Sequence, residues 1–165
     1  MSDKFKIVKI DYNYCDYLRK FDNKVCYNAG IKELRPFIGV LFKINSKEYY
    51  APLSSPKNKH KVLKNKLDLI KIDDGKLGVI NINNMIPVNK KVYELFDLNK
   101  KTNNLDETKR IKLLKEQLRW LNRNAIEVRK ISKTLYKLYV NDKLPDNVKN
   151  RCCDFKLLEE KCDLY

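Results

Sequence analysis

Histidine is nearly missing from this chain, and that scarcity removes a large part of enzymology. His60 is the single histidine among 165 residues, so a pair of histidines sharing acid and base duties is excluded. There is no C-x-x-C pair, Walker-type loop or G-x-G-x-x-G turn. Zinc fingers and the common nucleotide-binding loops therefore lack their essential residues. The carboxylates do not cluster as they must to hold paired cations in a two-metal nuclease. Asp73 and Asp74 stand beside Gly75 and read as a turn.

Other shortages bound the architecture. With only four glycines and five prolines, no linker divides the chain, and no repeat or low-complexity tract appears. One domain spanning residues 1–165 is expected. No apolar run approaches the roughly 20 residues that a bilayer span needs. The opening "MSDKFKIVKI" lacks the apolar core of a secretory leader, so a cytoplasmic protein without membrane contact is expected. Cysteines at 15, 26, 152, 153 and 162 are odd in number and include a vicinal pair. They read as reduced packing residues rather than a disulfide framework.

Negative charge is also short of positive. Thirty-six Lys and Arg against 21 Asp and Glu leave a formal net charge of +15. Such self-repulsion points to a polyanionic partner; the bland alternative is drift in a chain rich in Lys, Asn and Ile. The imbalance peaks in "APLSSPKNKHKVLKNK" (51–66), where two serines and five lysines lie inside an acid-free stretch from 49 to 67.

Hydrophobic spacing divides the chain in two. "KFKIVKID" reads as a first strand, and Tyr14, Tyr17, Leu18 and Phe21 follow at helical spacing. "RPFIGVLFKI" and "KEYYAPL" flank Asn45 and Ser46 as a β-hairpin, and "LDLIKI" and "KLGVINI" enclose "DDG" as another. "MIPV" and "VYELFDL" add candidate edge strands. From about 105 to 141, apolar residues recur at steps of three and four, which predicts one amphipathic helix or two in succession. Lys112, Lys115, Arg119 and Arg123 run along one side of it, either as a solvated face or as an RNA-contacting stripe. Pro145 closes the region, and "DFKLLEEKCDL" forms a short final helix capped by Asp154. Strands first and helices later predict an α+β domain with helices packed on an antiparallel sheet.

Without a metal cluster or a histidine pair, one route to RNA cleavage stays open to these residues. The ribose 2′-hydroxyl can attack its own 3′-phosphate, leaving the protein to orient the attack, stabilise the phosphorane-like charge and move two protons. Lys and Arg supply charge, Ser and Tyr supply hydroxyls, and a crowded Lys can join proton transfer. Composition alone does not place such a site.

Motifs do. "YCDYLRKFDNKV" (14–25), "RPFIGVLFKINSKEYYAPLSSPKNKH" (35–60), "LGVININNMIPV" (77–88) and "FKLLEEKC" (155–162) resemble, in order, the ToxN/AbiQ family of type III toxin–antitoxin toxins. The resemblance covers most of the chain, and "APLSSPK" followed by His is its most specific element. It implies a strongly twisted antiparallel sheet of the SH3-like barrel kind, decorated with helices. It also implies a metal-independent, sequence-specific endoribonuclease that leaves 2′,3′-cyclic phosphate and 5′-hydroxyl ends, with no cofactor. The implied substrates are cellular and phage RNA and the toxin's own antitoxin precursor. The implied partner is a small, repeat-derived pseudoknot RNA in a closed, cyclic assembly that covers the active site, and the implied role is abortive phage infection.

By position, the resemblance makes Tyr14, Arg35, Ser54, Ser55 and Lys57 the catalytic candidates. Tyr14 falls where the family keeps an active-site tyrosine, with a core aromatic as the alternative. Arg35 falls where relatives can carry a lysine; it keeps the charge without the proton-transfer ability, so it reads as a phosphate clamp. Ser54 and Ser55 match a hydroxyl pair before Pro-Lys, where the alternative is an ordinary turn. Lys57 is the candidate for charge stabilisation or proton relay, with Tyr14 and Lys32 competing for the proton roles. Lys32, Lys59, His60, Lys61 and Lys64 are RNA-contact candidates, together with the four cations of the long helix. Two other functions fit the same charge: a non-catalytic RNA-binding module of this fold, and a related toxin inhibited by a protein.

Overall fold

The computed structural model describes residues 3–27, 35–64, 66–89 and 91–165; Lys32 lies outside them. Strand β1 (Lys6–Ile10) turns Ile7, Val8 and Ile10 inward while Lys6 stays exposed. Helix α1 (Tyr12–Arg19) starts where the Asp11 carboxylate accepts the Asn13 N–H at 2.8 Å, an N-cap that satisfies one of the free donors of the first turn. Its buried side is Tyr14, Cys15 and Leu18.

The expected hairpin forms around Asn45 and Ser46, with Asn45 at φ 54°, a conformation Asn tolerates better than most residues. Its first arm is divided into β2 (Phe37–Gly39) and β3 (Lys43–Ile44), and both pair with the long β4 (Lys47–Ser54). Strands β5 (Ile70–Lys71) and β6 (Val79–Ile80) form the second hairpin around a 3₁₀ turn at Asp73–Gly75. Strands β7 (Ile86–Val88) and β8 (Tyr93–Leu95) complete the set. The antiparallel sheet runs β5-β6-β4-β2-β1-β8, with β3 and β7 also on β4. Among the described residues no pairing joins β5 to β8, so the sheet is open rather than a closed barrel.

The helical half is two helices, α3 (Leu105–Arg123) and α4 (Ala125–Val140). Asn104 caps α3 by accepting the Glu107 N–H at 3.0 Å, and Asp106 and Glu107 place negative charge in its first turn. The break falls at Asn124, whose amide turns back onto the Trp120 carbonyl at 2.8 Å. A short α5 (Asp146–Lys149) follows Pro145, and α6 (Phe155–Leu164) starts at Asp154, whose carboxylate accepts the Leu157 N–H.

A buried carboxylate ties these helices to the sheet. Glu159 of α6 accepts from Tyr49 of β4 at 2.7 Å and from Tyr136 of α4 at 2.5 Å, and its other oxygen pairs with Lys156 at 3.0 Å. Burial and the adjacent carboxylate push both phenols above their ordinary range, so both remain donors. No disulfide joins the described cysteines. Burial raises the thiols of Cys15 and Cys152 to about 12, which suits packing rather than reactivity. No helix among the described residues is long and apolar enough to cross a membrane.

Candidate active site

Strand β4 runs from the aromatic core to the surface, and the motif-marked Ser54, Ser55 and Lys57 lie at its exposed end. Phe37 pairs with Pro52 and Ile38 with Ala51. Continued by two residues, that register sets Arg35 opposite Ser54, and the Leu53 N–H donating to the Pro36 carbonyl at 2.9 Å keeps the two chains together there. On the other flank Leu53 pairs with Ile80 and Ser54 with Val79. The Asn81 amide donates to Ser54 Oγ at 2.7 Å, fixing the hydroxyl by its acceptor side and leaving its proton to give.

Gly78 makes this approach feasible. It sits at φ +103°, and a Cβ there would lie 1.9 Å from the Ser54 carbonyl oxygen. Glycine is required both for the positive φ and for the contact.

Arg35, Ser54, Ser55 and Lys57 line one open cleft of about 500 Å³, closed on its far side by α3 through Lys109, Arg110 and Gln117. Four cations and two hydroxyls face it, and among the described residues no carboxylate does. None of those four cations forms an ion pair with a carboxylate among the described residues. Among the described residues, two polar atoms are buried there without partners, Arg35 Nε and Gln117 Oε1, although Gln117 Nε2 donates to the Leu77 carbonyl at 2.7 Å. Unmade bonds of this kind cost about 1–3 kcal/mol each, a cost that a ligand can remove. Arg110 lies over the Phe96 ring at 5.3 Å, and burial lowers its pKa.

Tyr14 is elsewhere. Its side chain is 1 % exposed and its hydroxyl donates to the Pro87 carbonyl at 2.5 Å. Pro87 pairs with Tyr49, five residues before Ser54, or roughly 16 Å along a strand. Burial, then the bond to Cys162, pushes the phenol far above its ordinary range. The core-aromatic alternative describes its surroundings.

His60 also departs from expectation. It is 3 % exposed and belongs to α2 (Asn58–Val62), so its ring offers no face to a base. Its Nδ1 accepts the Lys57 backbone N–H at 3.1 Å. Burial, and then Lys59 and Lys57, lower its pKa below the usual 6.5.

Lys59, Lys61 and Lys64 are exposed around α2 but outside the cleft lining. Lys112, Lys115, Arg119 and Arg123 are exposed on α3, centred roughly 150° around the helix from the cleft-facing residues at 3.6 residues per turn. They lie away from the cleft, where either of the two readings open from the sequence, a solvated face or an RNA-contacting stripe, still fits. Lys109, Arg110 and Gln117, which sequence reasoning passed over, share the cleft side with Leu113 and Leu114. Asn81 and Gly78 were within a matched motif but bore no obvious chemistry.

Sheet, helices and cleft together define a strongly basic α+β protein with a groove lined by four cations at the end of its central strand. The model of the toxin ToxN family, of type III toxin–antitoxin systems, matches residues 6–163, and the chain belongs to that family. It is 35% identical over 168 residues to the endoribonuclease ToxN of Bacillus thuringiensis subsp. kurstaki, covering 99% of this chain and 86% of that one. Among solved structures, a type III toxin described as selectively inhibited by a non-coding RNA pseudoknot superposes with a TM-score of 0.82 at 34% identity, covering 99% of this chain and 98% of that one. The lactococcal anti-phage endoribonuclease AbiQ superposes with the same TM-score at 27% identity and the same coverage.

Proposed function

We propose that this protein is an endoribonuclease toxin that cleaves RNA without a metal ion, in the cleft between the end of β4 and α3. The observation that carries the reading is the gathering of Arg35, Ser54, Ser55 and Lys57, named from motifs, with Lys109 and Arg110 around one cavity with no carboxylate in its lining among the described residues. Such a lining attracts a phosphodiester and offers no acidic oxygen to a divalent cation.

The 2′-hydroxyl of the bound nucleotide attacks its own 3′-phosphorus, the bond to the 5′-oxygen breaks, and a 2′,3′-cyclic phosphate and a 5′-hydroxyl result. Arg35, with its unpaired Nε, and Lys109 clamp the non-bridging oxygens as their charge grows. Ser54, held by Asn81, and Ser55 orient the phosphate for in-line attack. Lys57 gives its proton to the leaving 5′-oxygen, and the 2′-proton passes to water in the open cleft. Tyr14 takes no proton in this scheme, because its hydroxyl is buried and engaged.

The same reading assigns a small pseudoknot RNA, cut from a repeated precursor, as the inhibitor that covers the cleft in a closed assembly, and phage defence as the role. The net charge of +15 and the RNA-inhibited relative support it. The twisted, SH3-like sheet of toxin ribonucleases remains part of this reading, as an open variant.

Incubating the purified protein with RNA in excess EDTA tests the chemistry. Cleavage with 5′-hydroxyl ends is expected; intact RNA, or 5′-phosphate ends, overturns it. A non-catalytic RNA-binding module would bind without cutting. Mass measurement of the protein mixed with RNA transcribed from any tandem repeat upstream of its gene tests the partner.

A further inference from the structure

We propose that His60 is a positioning residue whose neutral Nδ1 holds the Lys57 backbone N–H and thereby fixes the loop presenting Ser55 and Lys57 to the cleft. The proposal rests on the cleft being the cleavage site.

Residue 57 occupies the position before α2 where Ser, Thr, Asp or Asn normally accepts a free N–H of the first turn. A lysine has no acceptor to offer there. Capping boxes also work in reverse, with a Glu or Gln three residues into the helix reaching back to the N–H of the cap residue. His60 stands at that third position. Its Nδ1 accepts the Lys57 backbone N–H at 3.1 Å, while the His60 backbone N–H donates to the Lys57 carbonyl at 2.9 Å. The two bonds close a ring that sets Lys57 at φ −131°, ψ 154°.

The choice of histidine follows from charge. A glutamate would make the same backbone bond but would put a carboxylate beside Lys57, inside the acid-free stretch from 49 to 67. It would pair with the lysine and repel the phosphate. A neutral imidazole supplies the acceptor without the charge.

The ring is fixed in place as well. His60 is 3 % exposed, and its carbonyl oxygen lies 2.4 Å from where a Cβ on Gly75 would be, so the 3₁₀ turn packs directly against α2. Accepting at Nδ1 puts the proton of the neutral ring on Nε2.

His60 is the only histidine, so ¹⁵N-histidine NMR reads its tautomer without assignment. The native protein at neutral pH is expected to show the Nε2–H form; an Nδ1–H ring overturns the proposal. In kinetics, His60→Ala is expected to lower kcat by about 100-fold, the scale of a 1 Å misplacement. Affinity for an RNA with a 2′-deoxy block at the scissile position should be retained. His60→Asn, whose Oδ1 replaces Nδ1, and His60→Gln, the neutral capping-box residue, are each expected to recover most of the rate. Asn falling as far as Ala, or Ala losing affinity instead of kcat, overturns the positioning role. If His60→Ala does not fold, the tautomer and the Asn variant still decide. Should Ser55→Ala and Lys57→Ala cleave at the native rate, the cleft reading fails independently. If they are inactive while His60→Ala is fully active, only the present proposal falls.

Discussion

The loop after β4 and the first helix both carry residues that motif resemblance marks as catalytic, yet they occupy opposite environments. Ser55 and Lys57 project from a strand end into an open cleft whose described lining is basic. Tyr14 points inward, against Tyr165 at 5.0 Å and onto the Pro87 carbonyl. Similar motif support thus accompanies very different chemical availability. A group that must exchange protons with RNA needs access and an ionisable state within reach of neutral pH; Tyr14 is 1 % exposed, and burial raises its phenol far above its ordinary range.

The largest expected effect falls on the open side. Ser55→Ala and Lys57→Ala should each lower kcat by about 10²–10³-fold, as loss of one transition-state contact does, with unchanged thermal midpoint and RNA affinity. Native-like cleavage by both variants would remove the cleft from the comparison.

Next comes the backbone beneath it. Gly78→Ala forces a Cβ onto the Ser54 carbonyl at 1.9 Å and strains φ +103°. Overpacking of this kind costs about 1–3 kcal/mol, so both the melting temperature and the cleavage rate should drop. A variant with native stability and activity would show that the strand end is not held as described.

Tyr14→Phe sharpens the contrast directly. It leaves a buried carbonyl unpaired at a cost of about 1–3 kcal/mol, or a few degrees of thermal midpoint per kcal/mol at this size. The kcat of the folded protein should remain near native. Abolished cleavage at unchanged stability would reverse the assignment and make Tyr14 a catalytic residue.

The smallest effects are expected on the far side of α3. Neutralising Lys112 or Arg119 should weaken RNA binding only slightly, with a salt slope lower by about 0.7 per lost phosphate contact for single strands. Lys109→Ala and Arg110→Ala should instead reduce the cleavage rate itself. Equal behaviour on the two faces would make the helix a general electrostatic surface.

Legibility followed the range of the interactions involved. The hairpin around Asn45 and Ser46 and the Asp154 cap were readable because turn and cap chemistry act within a few residues. So was the amphipathic region, through its repeat of apolar positions; its break at Asn124 was not, because Asn suits both a helix surface and a helix end. Ser54, Ser55 and Lys57 were found through a motif and then met in space. Arg110 and Gln117 escaped because nothing local separates a helix face that lines a cleft from one that faces solvent.

Charge, the scarcity of histidine, the strand-then-helix order and the family motifs were settled by the amino-acid sequence itself, since each depends on composition or short-range spacing. The direction of Tyr14, the burial of His60 and the side of α3 that meets the cleft were decided only by the tertiary structure. Those depend on which surfaces pack together, through contacts such as Tyr14 with Pro87 and Gln117 with Leu77, 73 and 40 residues apart in the chain. Burial then sets which polar groups keep the freedom to react.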